Sequence, residues 1–276
     1  MTIHGAGGIT FGSLAIGAGL ALFMTGSALA ADLGGMKNPP MAPAKSDWEF
    51  SANVALTTDY VFRGASQTDE SGAVQGGFDV GWKFLSFGVW ASNLDFGGAD
   101  SNADGIADSD VADIEIDWYA GFKKSLNGVE LDLGVIYYHY PNAFDPGGDL
   151  DYIEFKAGLS GTLFRVVDAG LTVYYSPDYT GEIGDTYTVE GALETSLRHG
   201  FAISGTLAYI ENTDGNAILA DGDDAYWYWN AGLSKTFKET FTLDVRYWDT
   251  DGGSGCETAT LFQCDARVVG TLSASF

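Results

Sequence analysis

Four basic side chains lie in stretches where polar and apolar residues alternate, and all four occupy polar positions. They are Arg63, Lys156, Arg246 and Arg267. Carboxylates also take polar positions, some in the same stretches and some in others, and the candidates are Asp59, Asp113, Glu115, Asp117, Glu154, Glu190 and Asp244. Opposite charges on facing walls of one cavity produce a transverse field, which orients polar solutes and selects them by charge. The pattern therefore predicts a charge-selective constriction.

The same residues allow a second interpretation, which the sequence leaves open. Arg63, Arg246 and Arg267 would instead pair with Asp59 and Asp244 on their own faces and hold neighbouring strands together. Such cross-strand ion pairs are common and contribute about 0.2–1 kcal/mol each. The arginines would then stabilise a seam and select no solute.

The alternation that carries these residues predicts an all-β protein of twelve strands. In the first stretch, Trp48 to Arg63, the parity directs Tyr60 and Phe62 to an apolar outer face and Arg63 to a polar inner face. The facing of residues 90–96 is not fixed by the pattern. The later strands are expected near Val74, Phe87, Ile114, Val129, Ile153, Val167, Tyr187, Phe201, Trp227, Phe241 and Val268.

The connections between the predicted strands alternate between short turns and long acidic loops. An even strand number with loops sorted by length is typical of a single antiparallel transmembrane β-barrel, whereas a soluble sandwich has no reason to sort its loops. Nine basic residues lie in the N-terminal tail or beside short turns: Lys37, Lys45, Lys83, Lys123, Lys124, Arg165, Arg198, Lys235 and Lys238. We therefore expect the short turns and the N-terminus in the periplasm and the acidic loops outside the cell.

Aromatic residues on the apolar face gather at the strand ends, as two girdles at lipid–water boundaries would require. Those toward the long loops are Tyr60, Tyr137, Tyr175, Tyr187, Tyr209 and Tyr247, and those toward the short turns are Trp82, Phe122, Phe201, Phe241 and Phe276. The final residue, Phe276, follows apolar residues at every second position. This ending resembles the signal that the barrel-assembly machinery of Gram-negative bacteria reads.

Three segments carry a resemblance to a known family. TTDYVFRGASQTD, AVQGGFDVGWKF and FGVWASNLDF are similar to the N-terminal signature of the TorF family of porins, which are outer-membrane barrels. The motifs cover the first strands, and the length, strand spacing and terminal phenylalanine agree over nearly the whole mature chain. The resemblance implies a pore-forming role in the outer membrane.

The N-terminal region predicts export. Residues 1–30 lack charged side chains and end in Ala28-Leu29-Ala30, a small-residue cleavage pattern, so we expect a signal peptide there. Residues 31–47 would form a periplasmic tail and residues 48–276 the barrel. In an oxidising compartment, Cys256 and Cys264 in one loop are expected to form a disulfide.

The acidity of the chain excludes one class of partner and suggests another. The net charge of −25 argues against nucleic acid, because phosphate binding needs a basic surface. Asp100, Asn102, Asp104 and Asp108 match part of a calcium loop, but Val111 stands where a bidentate glutamate is needed. The alternatives are weak surface Ca²⁺ binding and a solvated acidic loop, and no other cofactor is expected.

Enzymatic activity is not expected from this sequence. His139 and His199 are the histidines that remain after signal removal, and neither stands in a recognisable catalytic pattern. The leading function is a porin-like channel, contacting outer-membrane lipid, for passive diffusion of small polar solutes with a preference for cations or neutral molecules. The alternative is a non-conducting surface protein whose acidic loops bind calcium or a partner. The sequence leaves monomer and homo-oligomer open.

Overall fold

One antiparallel sheet closes on itself to form a twelve-stranded barrel, which confirms the predicted fold class. The computed structural model describes residues 47–99, 109–143, 149–219, 221–257 and 263–276. The barrel strands are β1 Trp48–Thr57, β2 Ala73–Trp82, β3 Leu85–Asn93, β4 Ile114–Leu126, β5 Val129–His139, β6 Tyr152–Leu163, β7 Val167–Ser176, β8 Thr186–Ser196, β9 Phe201–Asn212, β10 Ala225–Phe237, β11 Phe241–Thr250 and β12 Arg267–Ser275.

The barrel closes where the first strand meets the last. Strand β1 pairs with β12, with Asn53 opposite Ser275 and Thr57 opposite Thr271, and pairs with β2 on its other side. Each strand therefore has two neighbours and the sheet has no free edge. A closed sheet satisfies every backbone hydrogen-bonding group internally, which lipid requires of a spanning structure.

The alternation along each strand separates two environments. In β11, Leu243, Val245 and Tyr247 point outward and are exposed, whereas Asp244 and Arg246 point inward and are buried. The same division runs around the barrel, so the outer surface is an apolar band and the lumen is polar. An apolar outside with a polar inside is the arrangement that suits a bilayer.

The loops are sorted by length, as the sequence predicted. The short turns are residues 83–84, 127–128, 164–166, 197–200 and 238–240, and the long loops are residues 58–72, 94–113, 140–151, 177–185, 213–224 and 251–266. In the turn between β4 and β5, Asn127 and Gly128 both have positive φ, at 54° and 85°. This is the Asn-Gly pairing that two-residue hairpin turns favour.

The remaining elements are small. A hairpin joins Val61–Phe62 to Ala65–Ser66, a second joins Gly98–Ala99 to Ser109–Asp110, and helix α1 spans Gly253–Glu257. In the described part of the chain no helix has the length and apolar character needed to cross a membrane.

Aromatic side chains ring the outside of the barrel at both ends. Toward the long loops, Tyr175 and Tyr187 stack with ring centroids 4.7 Å apart. Toward the short turns, Trp48 and Trp82 lie 6.1 Å apart. The predicted girdle members are at the surface with one exception, Tyr60, which is fully buried.

Candidate functional site: a lumen filled by loop 1

Residues 58–72, called loop 1 from here on, turn into the lumen instead of continuing β1 outward. The strand ends at Thr57, whose hydroxyl donates a hydrogen bond to the Asp59 carbonyl oxygen at 2.8 Å. Tyr60 and Phe62 are buried, so the prediction that they face lipid is wrong. Once the chain leaves the barrel wall, strand parity no longer decides where a side chain points.

Inside the lumen, loop 1 forms a tight hairpin. Phe62 pairs with Ala65, which leaves Arg63 and Gly64 as the two turn residues, with φ of 50° and 84°. Positive φ at both central residues is the mark of a type I′ hairpin turn. A β-carbon on Gly64 would lie 2.5 Å from Thr250 Cγ2, so the turn packs directly against the end of β11. Arg63 therefore lies at the tip of an inserted hairpin and is not part of the first barrel strand.

The close packing at Gly64 leads to a first prediction. Gly64→Ala would place a β-carbon against Thr250 and would strain a residue whose φ is +84°, at a cost of at least about 1–2 kcal/mol for the conformation alone. We expect loop 1 to loosen and trypsin to cleave after Arg63, which is buried in the wild type. Gly215→Ala is the matched control, because Gly215 has a φ of +75° and open space around it. Equal cleavage of both variants would contradict the wedged turn.

The Arg63 side chain crosses to the opposite wall. Its Nη2 donates a hydrogen bond to Glu154 Oε2 on β6 at 2.5 Å, and both side chains are 2% exposed. The guanidinium carbon lies 4.9 Å from the ring centre of Phe62, 5.6 Å from that of Tyr174 and 5.4 Å from that of Tyr179. Burial alone lowers the pKa of Arg63, but the Glu154 carboxylate raises it well above its ordinary value, so the group stays charged.

Tyrosine and tryptophan side chains fill the space around this ion pair. Tyr138 and Tyr152 stack with centroids 4.2 Å apart, and the Tyr226 hydroxyl donates a hydrogen bond to the Arg63 carbonyl oxygen at 3.0 Å. All the aromatic side chains at this level are almost completely buried: Tyr60, Trp90, Tyr138, Tyr152, Tyr174, Tyr179, Tyr226, Tyr228 and Trp248. Among the described residues, loop 1 and these rings therefore close the long-loop half of the lumen to water.

Carboxylates line the wall that loop 1 contacts. Tyr60 Oη donates a hydrogen bond to Glu115 Oε1 at 2.8 Å, and Tyr228 Oη donates one to Glu190 Oε2 at 3.0 Å. Asp117, two residues after Glu115 on β4, is completely buried. The acidic wall predicted from the sequence thus has Glu115, Asp117, Glu154 and Glu190 inside the barrel. Asp113 differs, because it precedes β4 and is exposed at the rim.

A second group of contacts clamps the base of loop 1. The Asp59 carboxylate accepts hydrogen bonds from Ser66 at 2.6 Å, from Thr68 at 3.0 Å and from Arg267 at 3.0 Å. The Ser66 backbone amide donates to the Gln263 carbonyl oxygen at 2.8 Å. Loop 1 is therefore fixed to β12 and to the loop that precedes it.

The loop that precedes β12, residues 251–266 and called loop 6 here, carries the disulfide. Cys256 and Cys264 are bonded to each other, as predicted, and both are buried. The Thr250 hydroxyl donates a hydrogen bond to the Cys264 carbonyl oxygen at 2.7 Å. The disulfide thus holds the part of loop 6 that contacts loop 1.

The other predicted charged residues have partners near them on the barrel wall. Arg246 contacts Asp244 at 3.2 Å and donates to Asn230 Oδ1 at 2.5 Å, and Lys156 contacts Asp132 at 2.9 Å. The seam pairings that the sequence left open, Arg267 with Asp59 and Arg246 with Asp244, are present. Arg63 does not face the acidic wall across a channel as predicted, because the loop carries it onto that wall.

The short-turn half of the lumen is more open. Asp79 accepts a hydrogen bond from Tyr119 Oη at 2.6 Å, and both residues keep part of their surface exposed, as do Lys123 and Glu194. Gly88 and Gly121, at inward positions, make room for neighbouring side chains, since a β-carbon would overlap the Tyr119 ring at Gly88 and would lie 2.7 Å from Ser86 Oγ at Gly121. The lumen is therefore packed more completely at its long-loop end than at its short-turn end.

Two further groups of residues were candidates for catalysis or metal binding. His139 Nδ1 lies 2.6 Å from Asp151 Oδ2, which also accepts from Tyr137 Oη, on the outward side of the barrel. Burial raises the pKa of Asp151, but the hydrogen bonds from Tyr137, the Tyr140 amide and His139 together lower it. Among the described residues no group of three or more His, Cys, Asp or Glu side chains is placed to hold a metal ion. The calcium-loop candidates Asp100, Asn102, Asp104 and Asp108 lie outside the described residues.

Sequence reasoning missed the lumen tyrosines. The dipeptides Tyr137-Tyr138 and Tyr174-Tyr175 each place one ring outward in the girdle, Tyr137 or Tyr175, and the other ring inward. The signal that could have found them was an aromatic residue at a position on the polar face. Such a residue is not expected to line a water-filled channel. Trp90, whose facing the pattern did not fix, also points into the lumen.

The closed barrel and its loops, sorted by length, define the class of protein as a twelve-stranded β-barrel with the fold of outer-membrane porins. The NanC porin matches it with a TM-score of 0.55 at 9% identity, covering 83% of this chain and 99% of that chain. The KdgM porin matches with a TM-score of 0.51 at 8% identity, covering 82% of this chain and 98% of that chain. A structure titled KdgM porin in complex with disordered oligogalacturonate matches with a TM-score of 0.52 at 7% identity, covering 82% of this chain and 98% of that chain. At these identities the likeness is one of fold alone.

The sequence itself places the chain in a family. A family model described as "Bacterial protein of unknown function (Gcw_chp)" matches residues 41–276, so the chain belongs to that family. A search of curated proteins gave no match. The resemblance to TorF porins stays a prediction.

Proposed function

We propose that the protein is an outer-membrane channel for passive diffusion of small polar solutes, with a preference for cations or neutral molecules. In the conformation described above, loop 1 closes this channel. The long acidic loops lie outside the cell and the short turns in the periplasm. The observation that carries the proposal is a buried acidic wall inside a closed barrel, neutralised in part by an arginine on a loop.

The placement of charge supports a cation preference. Arg246, Lys156 and Arg267 each have a carboxylate within 3.2 Å. Arg63 is the cation that loop 1 brings to Glu154. If loop 1 withdraws, the wall of Glu115, Asp117, Glu154 and Glu190 loses that positive charge. A negative potential at a constriction raises the local concentration of cations and lowers that of anions.

Planar-bilayer recording of the refolded protein tests the proposal. We expect stepwise openings with a reversal potential that indicates cation preference. Replacing both Arg63 and Arg267 by glutamine should raise the conductance and strengthen the cation preference, because loop 1 loses the pair of Arg63 with Glu154 and the pair of Asp59 with Arg267. Unchanged conductance and selectivity in this double variant would contradict a constriction at loop 1.

The alternative is a non-conducting surface protein, and the closed lumen is the observation that favours it. A variant that lacks residues 60–67 separates the two functions, because it removes the lumen hairpin and leaves the barrel strands intact. Silence of both the wild type and this variant in the bilayer would support the surface protein. Openings of the shortened variant would support a channel with a closing loop.

A further inference from the structure

Arg63 occupies the lumen in the way that a bound ligand would. Its guanidinium group meets one carboxylate, Glu154, and lies between 4.9 and 5.6 Å from three aromatic ring centres. Two of those rings, Tyr174 and Tyr179, and the carboxylate belong to the barrel and its fourth long loop. These three residues, called the Arg63 cage here, lie outside loop 1.

The Arg63 cage has internal support. Tyr138 Oη donates a hydrogen bond to Glu154 Oε1 at 3.3 Å and so orients the carboxylate. The other carboxylate oxygen, Oε2, accepts the hydrogen bond from Arg63. Tyr152 stacks on Tyr138 at 4.2 Å and meets Tyr179 edge-on at 4.9 Å. These contacts connect the rings into one packed wall. The cage should therefore keep its shape when the guanidinium leaves.

An empty cage would hold an uncompensated charge. The Glu154 side chain is 2% exposed, and a buried carboxylate without a partner is strongly unfavourable. Withdrawal of loop 1 therefore requires water or another cation at the same place. Aromatic faces together with a single carboxylate select an organic cation, because rings attract delocalised charge through their quadrupole.

We propose that the Arg63 cage is a binding site for a small solute carrying a guanidinium group, with Arg63 as an internal competitor that holds loop 1 inside until such a solute replaces it. This inference rests on the proposed channel function and names the class of solute. Calcium and magnesium fit the cage poorly, since they need several oxygen ligands. A neutral sugar would leave the charge of Glu154 unpaired.

The test uses a variant whose cage is vacant. Arg63→Gly removes the guanidinium and suits the backbone, because residue 63 has a φ of 50°. Isothermal titration of the refolded variant in detergent would compare ethylguanidinium with N-ethylurea, which has a similar shape and no charge. We expect ethylguanidinium to bind at least about tenfold more tightly, as a charge-assisted hydrogen bond to a buried carboxylate predicts.

Further variants assign the binding to the cage. Adding Glu154→Gln to Arg63→Gly should remove the preference, whereas adding Glu49→Gln, at the short-turn end of β1, should leave it unchanged. Equal affinity of folded Arg63→Gly for both compounds, or no binding of either, would overturn the inference. If Arg63→Gly fails to fold, Arg63→Asn provides the same test, because Asn-Gly is the preferred sequence of this turn type.

The test of the Arg63 cage and the test of the channel function can fail independently. Binding is measured in detergent and needs no conduction, so a barrel that binds ethylguanidinium but never opens in a bilayer would contradict the channel alone. A barrel that conducts cations but binds both compounds equally would contradict the cage alone.

Discussion

Replacing Arg63 by glutamate is expected to expel loop 1 from the lumen and to give a channel that conducts several times better than the wild type. The substitution exchanges the buried guanidinium for a carboxylate directly opposite Glu154, and the buried carboxylates Glu115 and Asp117 lie on β4, two strands from β6. Uncompensated buried charge of this kind costs about 3–5 kcal/mol. The inward position of loop 1 would then be disfavoured by a factor between about 10² and several times 10³.

The measurement is single-channel conductance together with the fraction of time the channel is open. Arg63→Gly should give a smaller change, because it removes the ion pair but adds no repulsion. The decisive control is the charge exchange Arg63→Glu with Glu154→Arg, which restores a pair of opposite charges across the same contact and should restore the closed state. If Arg63→Glu and Arg63→Gly both conducted like the wild type, Arg63 would not hold the lumen closed.

The barrel could be predicted from the sequence because lipid imposes a simple rule on a strand. Every residue that faces the bilayer must be apolar and every second residue faces it, so Leu243, Val245 and Tyr247 in β11 show the pattern directly. The loop lengths then order the strands, since two strands joined by a short turn must pair with each other as antiparallel neighbours. The disulfide was predictable for a similar reason, because its two cysteines lie in one loop.

The course of loop 1 could not be predicted from the same rule. Val61, Phe62 and their neighbours continue the alternation of β1, and an inserted hairpin has the same period as a membrane strand. The difference lies in Arg63-Gly64, a two-residue turn that reverses the chain. Such a turn is visible in the sequence, but whether the hairpin then points to solvent or into the lumen depends on partners far along the chain.

Those partners also explain why the candidate site was only partly recognised. Arg63 follows β1 but contacts Glu154 on β6, and its carbonyl oxygen accepts a hydrogen bond from Tyr226 on β10, which is reached from β1 in the other direction around the barrel. Strand parity correctly directed Glu154 inward, but parity contains no information on which inward residues meet. The cation–carboxylate pairing across the lumen follows from the insertion of loop 1. No separate feature of the sequence indicated this pairing.

The last anchor of loop 1 gives the second large prediction. Arg267→Gln removes the cation beside Asp59, and the side chains of both are less than a tenth exposed. Ser66 and Thr68 would still donate hydrogen bonds to Asp59. The loss of stability is therefore smaller than that for a buried carboxylate without any partner. A hydrogen bond to a charged group is worth about 1.5–3 kcal/mol, which we take as the loss. The pairs of Arg267 with the half-exposed side chains of Glu70 and Asp265 add little.

Trypsin cleavage after Arg63 measures this release, because the bond is cut only when loop 1 leaves the lumen. Where opening is fast relative to cleavage, the cleavage rate follows the open population, so a loss of about 2 kcal/mol raises the rate about thirtyfold. Arg198→Gln, at an exposed short turn, should leave the rate unchanged. If Asp59→Asn releases loop 1 to the same extent and adds little to Arg267→Gln, the pair itself is the anchor, because coupled residues are not additive. Full additivity of the two substitutions would instead mean that Arg267 acts through its contact with the Gln263 carbonyl oxygen, and the clamp would then belong to loop 6.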